Sequence, residues 1–386
     1  MKKPTKLIHN HAGTGSRRTV NPPIERASTV ILPDRKTLYS ASPGYGRMGL
    51  AVQRELESAM CTLEGAQFSR LTPNGLSACA IAISSLVKAG DTVLISDSIY
   101  GPTRRFCERR LKRMGVKCAR FAPRDLDGIR QQLNAGVAAI FLECPGSLTF
   151  EISDITAITK HARECGARVV MDNTWAAGVF CQPLALGADL VVQALTKYVV
   201  GHADAFGGAI MTNDRALATE LEEITEDWGV SLSPDDAYAA LRGTRTLVTR
   251  LREHETTALI LAEWLEAHPK VAEVIHPALP SHPDHEIWKR DFSGSNGLFS
   301  FLLDAESIAE LDTFISGLKL FQLGFSWGGF ESLLIPCDDQ LKRMKSDWTT
   351  SKKGYLIRVH AGLEDASDLV ADLQGAFETM TGEKIT

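Results

Sequence analysis

No segment of the 386-residue chain approaches the roughly 18 apolar residues that a membrane-spanning helix needs. Its start, MKKPTKLIHNHAGTG, is basic but has none of the apolar core of a secretory signal, so the sequence predicts a cytoplasmic protein without a membrane partner. Charge of one sign is not in excess. The 42 Lys+Arg against 47 Asp+Glu leave a net charge of −5, which gives no global reason to bind nucleic acid. None of the eight cysteines (61, 79, 107, 118, 144, 165, 181 and 337) falls in a C-x-x-C pair, so they read as reduced, packed thiols and not as a disulfide framework or zinc site. The best metal-like spacing is His282-x-x-His285, near His276. Pro277, Pro280 and Pro283 put it in a loop, where an i,i+3 pair shares no helix face, and no metal is expected.

What is present is ordinary for a globular chain: 44% hydrophobic and 23% charged residues, with room for two or three domains of roughly 100–200 residues. One local excess of charge spans 104–120, where eight basic residues face Glu108; it reads as a solvated helix face.

Residues 1–48 carry Pro4, Pro22, Pro23, Pro33 and Pro43 with little periodicity and read as an irregular N-terminal arm. Val52, Leu56, Met60 and Leu63 then recur at helical spacing up to a stop at Gly65. Beyond it, helix signals over 75–88, 102–114 and 153–165 alternate with strand signals over 91–96, 137–143, 167–172, 188–195 and 207–212. Several of these strands are unbroken apolar runs, which predicts that both faces are covered. The fold class is therefore α/β, with a large domain over 49–232 built on a mostly parallel sheet. At Ser233-Pro234-Asp235-Asp236 a cap, a first-turn proline and two acids open a long helix running to about His268. It begins a smaller α/β C-terminal domain over 233–386, with strands at 297–304, 332–336 and 355–360 and helices at 306–319 and 364–380.

Gly44-x-Gly46-x-x-Gly49 matches a dinucleotide fingerprint, but the polar TLYSASP precedes it where a strand is required, so a nicotinamide or flavin site is not expected. Reactive groups sit instead at two strand ends. VVMDNTWAAG puts Asp172 at a carboxyl edge, and VVQALTKYVVGH puts Lys197 just past the next one. Ligands of α/β sheets bind outside those edges. Alone, Asp172 would read as a turn or helix cap and Lys197 as a surface lysine. Together they suit pyridoxal phosphate (PLP): the amine condenses with the aldehyde, and the carboxylate keeps the pyridine nitrogen protonated so that the ring stays an electron sink. The phosphate needs a cradle, and Thr72-Pro73-Asn74-Gly75-Leu76-Ser77 opens a helix whose free N–H groups and dipole supply one, with the Thr196 hydroxyl beside Lys197.

The chain resembles the Cys/Met-metabolism PLP-dependent enzymes of fold type I, and among them most closely the bacterial cystathionine β-lyases, from about residue 20 to 380. The resemblance is carried by YGR (45–47), SDSIYGP (96–102), LECPGS (142–147), MDNTWAAG (171–178), ALTKYVVGHAD (194–204), HPALP (276–280), GLFSF (297–301), FSWGGFESL (325–333) and LIRVHAGLED (356–365). The β-lyase branch rests mainly on WAAG after Asp172 and on SWGGFESL. The resemblance implies a PLP-dependent transferase-like large domain and C–S β-lyase activity on an amino-acid substrate, L-cystathionine or a related cysteine S-conjugate, in methionine biosynthesis. The alternatives are a cystathionine γ-synthase or γ-lyase on the same cofactor and, more remotely, a regulatory PLP-binding protein. It implies Lys197 as the Schiff-base lysine and base, Asp172 as the pyridinium partner, and Tyr100 as the stacking ring that assists proton transfer. Gly75, Leu76 and Thr196 are implied phosphate contacts. Tyr45 and Arg47 would reach the phosphate of a neighbouring subunit in a homotetramer built from dimers. Arg358 would grip the substrate α-carboxylate, and Ser326 and Trp327 would line its pocket. Three departures stand out: Ala194 where the family often has Ser, Met48 where close β-lyases tend to have a second Arg after YGR, and Arg104-Arg105 where they tend to have an acid. Arg105 is the candidate replacement contact to the distal end of the substrate.

Overall fold

The computed structural model describes residues 1–9, 19–40, 43–134, 136–344 and 354–382. Its larger sheet is made of β1 (Phe68–Thr72), β2 (Thr92–Ser96), β3 (Lys117–Phe121), β4 (Val137–Glu143), β5 (Arg168–Asp172), β6 (Leu190–Ala194) and β7 (Gly208–Thr212), in the order β1-β7-β6-β5-β4-β2-β3. Strands β6, β5, β4, β2 and β3 run parallel, and β7 is antiparallel to both of its neighbours. Alternation sorts the apolar runs onto two faces. Leu94, Ile140, Leu142, Val169, Met171 and Val191 join one core cluster, while Val93, Ile95, Phe141, Val170 and Val192 join the other. Both faces are dry, which is why these strands read as continuous apolar runs.

The second sheet holds β8 (Val271–Ile275), β9 (Leu298–Leu303), β10 (Gln322–Leu323), β11 (Leu333–Pro336) and β12 (Tyr355–His360), in the order β10-β11-β12-β9-β8. Its helices Ile308–Gly317 and Ala366–Thr381 pack through Phe314 and Phe377 onto Phe299, Phe301 and Ile357. The expected mostly parallel α/β sheet and smaller α/β unit are thus both present.

Differences from the sequence reading have local causes. β1 and β3 escaped notice because they are the two edges of the sheet. Each carries an arginine (Arg70, Arg120) and is half solvated, so neither forms an apolar run. The long helix expected from Ser233 is two helices, Pro234–Thr244 and Leu247–Glu266. At the break the Gly243 carbonyl accepts from the Arg250 guanidinium (2.9 Å) and the Thr246 N–H (3.2 Å). The arm is not wholly irregular. It contains α1 (Lys3–Ile8) and α2 (Arg35–Leu38), and α1 buries Leu7 while the Lys3 ammonium donates to the carbonyls of Leu63 (2.5 Å) and Gly178 (2.6 Å). The helix after the arm, α3 (Ala51–Glu64), ends at Gly65 as expected. The next, α4 (Gly75–Ser84), stops short of Lys88. Its last turn gives way where the Ser85 hydroxyl bonds the Ala82 carbonyl (3.0 Å). The basic stretch is not one solvated face. After α5 (Gly101–Phe106) it passes through a π-helical turn (Cys107–Leu111) into β3; Arg104 is buried, and Arg120 is paired with Asp97 (3.0 Å) and Glu108 (2.5 Å).

Candidate active site

β5 and β6 are adjacent and parallel, with Asp172 in register with Val192, so Asp172 and Lys197 leave the sheet at the same edge. Asp172 is buried. Its Oδ1 accepts the Thr174 N–H (3.0 Å) and hydroxyl (2.5 Å), while among the described residues its Oδ2 meets only the Cys79 thiol, at 3.6 Å. One carboxylate oxygen is therefore fixed and the other is left for a strong donor. Burial pushes the Asp172 pKa up; the Thr174 donors and the charge of Lys197 pull against it. The Lys197 ammonium donates to the Ser326 hydroxyl at 2.7 Å and lies 5.2 Å from the centre of the Trp327 ring. Burial and the Arg358 guanidinium lower its pKa from 10.5 to about 8, against the opposing pull of Asp172 and Glu143.

The C-terminal unit closes the other side. Arg358, on β12, is 7% exposed; its Nη2 donates to the Ser326 carbonyl at 2.8 Å, and its Nε has no partner among the described residues. An orphaned donor on a buried guanidinium is what a two-pronged carboxylate would satisfy. Ser326 sits in the left-handed region (φ 77), which turns its hydroxyl to Lys197 and its carbonyl to Arg358. Behind it, a Cβ on Gly328 (φ 87) would lie 2.7 Å from the Tyr198 nitrogen, so only glycine lets this loop approach the Lys197 backbone. Trp327 packs on Tyr198 with ring centres 5.4 Å apart.

Tyr100 caps α5 and is about half exposed, and its phenol feels the charges of Glu143, Asp172 and, on its own helix, the exposed Arg105. Gly75 and Leu76 form the first turn of α4. Asn74 caps the Ser77 N–H (2.9 Å), leaving the two earlier N–H groups without a helical acceptor. A Cβ on Gly75 would come within 2.4 Å of the Ala194 Cβ, so glycine keeps α4 seated on β6. The Thr196 hydroxyl donates to the Gly207 carbonyl (3.2 Å) and accepts the Gly207 N–H (3.1 Å). Tyr45 and Arg47 are not brought to this crevice. Both are exposed; Arg47 stacks near the Tyr45 ring and bonds the Glu226 carbonyl (3.3 Å), and no described contact joins either to Lys197, Asp172 or Tyr100. The His282/His285 pair has its Nδ1 atoms engaged with loop backbone, at the Asp284 N–H and the Pro277 carbonyl.

Sequence reasoning missed Thr174 and Glu143. Thr174 ties the two strands, since its hydroxyl donates to Asp172 and accepts the Ala194 N–H (2.9 Å). Glu143 ends β4 beside Asp172, where burial and the neighbouring carboxylate push its pKa up. The strand-end rule applied to β4 as well as β5 and β6 would have found it.

A buried amine of lowered pKa, a carboxylate oxygen awaiting a donor, a helix N-terminus and an orphaned guanidinium converge at one sheet edge, and this donor set fits an aldehyde cofactor with a pyridine nitrogen and a phosphate. Fold and site together define a PLP-dependent enzyme. The chain belongs to the Cys/Met metabolism PLP-dependent enzyme family, whose model matches residues 4–378. It is similar to the cystathionine β-lyase of Salmonella typhimurium and to cystathionine β-lyase MetC of Escherichia coli. Each is 39% identical over 387 residues, covering 97% of this chain and 97% of the relative. Its fold is similar to the crystal structure of metB from Corynebacterium glutamicum, with TM-score 0.91, 30% identity and 98% of both chains covered. Pyridoxal phosphate is its cofactor. Among the described residues, no helix is long and apolar enough to cross a membrane.

Proposed function

We propose that this enzyme is a carbon–sulfur β-lyase. It cleaves L-cystathionine, or a related cysteine S-conjugate, with one water to homocysteine or the corresponding thiol, pyruvate and ammonia. The observation that carries this reading is that Ser326 links the two groups, its hydroxyl accepting from the Lys197 amine and its carbonyl from the Arg358 guanidinium. It puts a proton acceptor beside the group that would grip an α-carboxylate. Similarity to two cystathionine β-lyases supports the choice of bond.

In this reading Lys197, Asp172, Tyr100, Thr196 and the first turn of α4 at Gly75 and Leu76 hold the cofactor. When bound, PLP supplies an electron sink for the charge that develops at the substrate Cα. Arg358 clamps the α-carboxylate with two parallel bonds that lysine could not form. Lys197 takes the Cα proton and, assisted by Tyr100, returns a proton to the sulfur as the Cβ–S bond breaks. Ser326 and Trp327 line the pocket. Tyr45 and Arg47, exposed on an arm, are assigned to the phosphate of a neighbouring copy in a homotetramer of two dimers. Eight free cysteines support a reducing, cytoplasmic setting.

The test is product identity. Purified enzyme given L-cystathionine should release pyruvate and homocysteine in equal amounts. Release of 2-oxobutyrate and cysteine would replace this reading by γ-cleavage. Salt-sensitive DNA binding without lyase activity would favour a regulatory protein.

Arg105 is assigned to the distal end of the substrate, because its charge reaches the phenol of Tyr100 at the mouth of the site. Arg105→Ala should raise KM for cystathionine by about tenfold, the scale of one lost bond to a charged group, while leaving KM for a short S-alkyl cysteine unchanged. Equal effects on both substrates would remove Arg105 from the distal subsite.

A further inference from the structure

The carboxyl ends of β4 and β5 lie side by side, with Glu143 in register with Asp172. Asp172 is assigned to the ring nitrogen, whereas Glu143 has no part in the chemistry proposed above. Its two oxygens are each taken by a different loop. Oε2 accepts the backbone N–H of Tyr100 at 2.5 Å, and Oε1 accepts the Ser147 hydroxyl at 2.6 Å. The Ser147 N–H in turn donates to the Ser98 carbonyl at 2.7 Å, so the segment after β2 and the segment after β4 are tied twice, at Ser98 and at Tyr100. Tyr100 needs such a tie. Its side chain makes no capping bond to α5, its ring is about half exposed, and its hydroxyl has no hydrogen bond among the described residues.

We propose that Glu143 is a positioning residue, whose carboxylate clamps the Tyr100 backbone to the loop at Ser147 and so holds the tyrosine ring over the cofactor plane beside Asp172 and Lys197. The inference rests on the assignment of Tyr100 to the cofactor face. Glu143 itself touches neither cofactor nor substrate in this role. A glutamine of the same length keeps the clamp: its amide oxygen accepts the Tyr100 N–H, and its NH₂ donates to the Ser147 oxygen, which accepts as readily as it donates. Alanine removes the clamp, and aspartate, one carbon shorter, cannot span it.

The experiment is an equilibrium titration of cofactor-free protein with PLP, followed by absorbance, for wild type, Tyr100→Ala, Glu143→Ala, the double variant and Glu143→Gln. Glu143→Ala and Tyr100→Ala should each weaken PLP binding about tenfold. If Glu143 acts through Tyr100, the double variant matches Tyr100→Ala within about twofold. Glu143→Gln should bind as wild type within the same margin. Wild-type binding by Tyr100→Ala would overturn the assignment of Tyr100. Weakened binding by Tyr100→Ala with none by Glu143→Ala, penalties that add in the double variant, or a Gln variant as weak as Ala would overturn the clamp while leaving Tyr100 in place. Should Glu143→Ala fail to fold, Glu143→Asp takes its place in the cycle with the same expected loss.

Discussion

Replacing Lys197 by alanine should abolish covalent retention of the cofactor and lower kcat by more than the ~10²–10⁴-fold that a positioned general base contributes, because the proposed mechanism has one amine both anchor the cofactor and move the proton. Borohydride reduction followed by peptide mapping should mark Lys197 in the wild type and nothing in the variant. A Lys197→Ala enzyme with near-wild-type turnover would refute the assignment. The environment of the amine adds a pH dependence. Burial and Arg358 lower its pKa to about 8, so the neutral fraction grows as pH rises through about 8 and saturates above it. The rate of PLP uptake by cofactor-free protein should follow that curve, with its midpoint well below that of an ordinary lysine. The lowered pKa depends on the cation of Arg358 nearby, so Arg358→Leu should move the midpoint upward.

Asp172→Asn should be nearly as damaging, for a reason that the hydrogen-bond geometry makes specific. The Thr174 backbone N–H can only donate, so the amide oxygen of the introduced asparagine must take the place of Oδ1. The NH₂ would then occupy the Oδ2 position and present a donor where, in the proposed assignment, the pyridine nitrogen needs an acceptor. The ring would bind without its proton and draw electrons weakly. Loss of one partner of a buried charge pair is worth about 3–5 kcal/mol, or about 10²–10⁴-fold in kcat at 1.4 kcal/mol per tenfold. The variant should still take up PLP at Lys197, with a changed absorption spectrum. Turnover within a few-fold of wild type would show that Asp172 does not face the ring nitrogen.

Much of the site was legible in the sequence because its key groups sit at the ends of buried parallel strands. A run such as VVMD announces both a strand and the residue that leaves it, so Asp172 and Lys197 could be placed on one edge from the sequence. Gly75 and Leu76 were legible for a similar reason, since Asn74 and the apolar residues after it mark a helix start. Glu143 ended an equally clear strand. It was passed over because a lone glutamate shows its role only through partners, and those partners, Tyr100 and Ser147, belong to two different loops. Edge strands β1 and β3 were illegible because water covers part of them and relaxes the demand for apolar residues.

Local period, capping and short motifs were enough to indicate the alternation of buried strands and helices, to place Asp172 and Lys197 at strand ends and to suggest the family, because each is written within a few consecutive residues. Three features needed the folded molecule: which oxygen of Asp172 is met by the Cys79 thiol alone among the described residues, the link that Ser326 makes between Lys197 and Arg358, and the partly interior course of the Arg104–Arg120 stretch. Each of these depends on distances between segments far apart in the chain, fixed by packing two sheets and their helices into one solid.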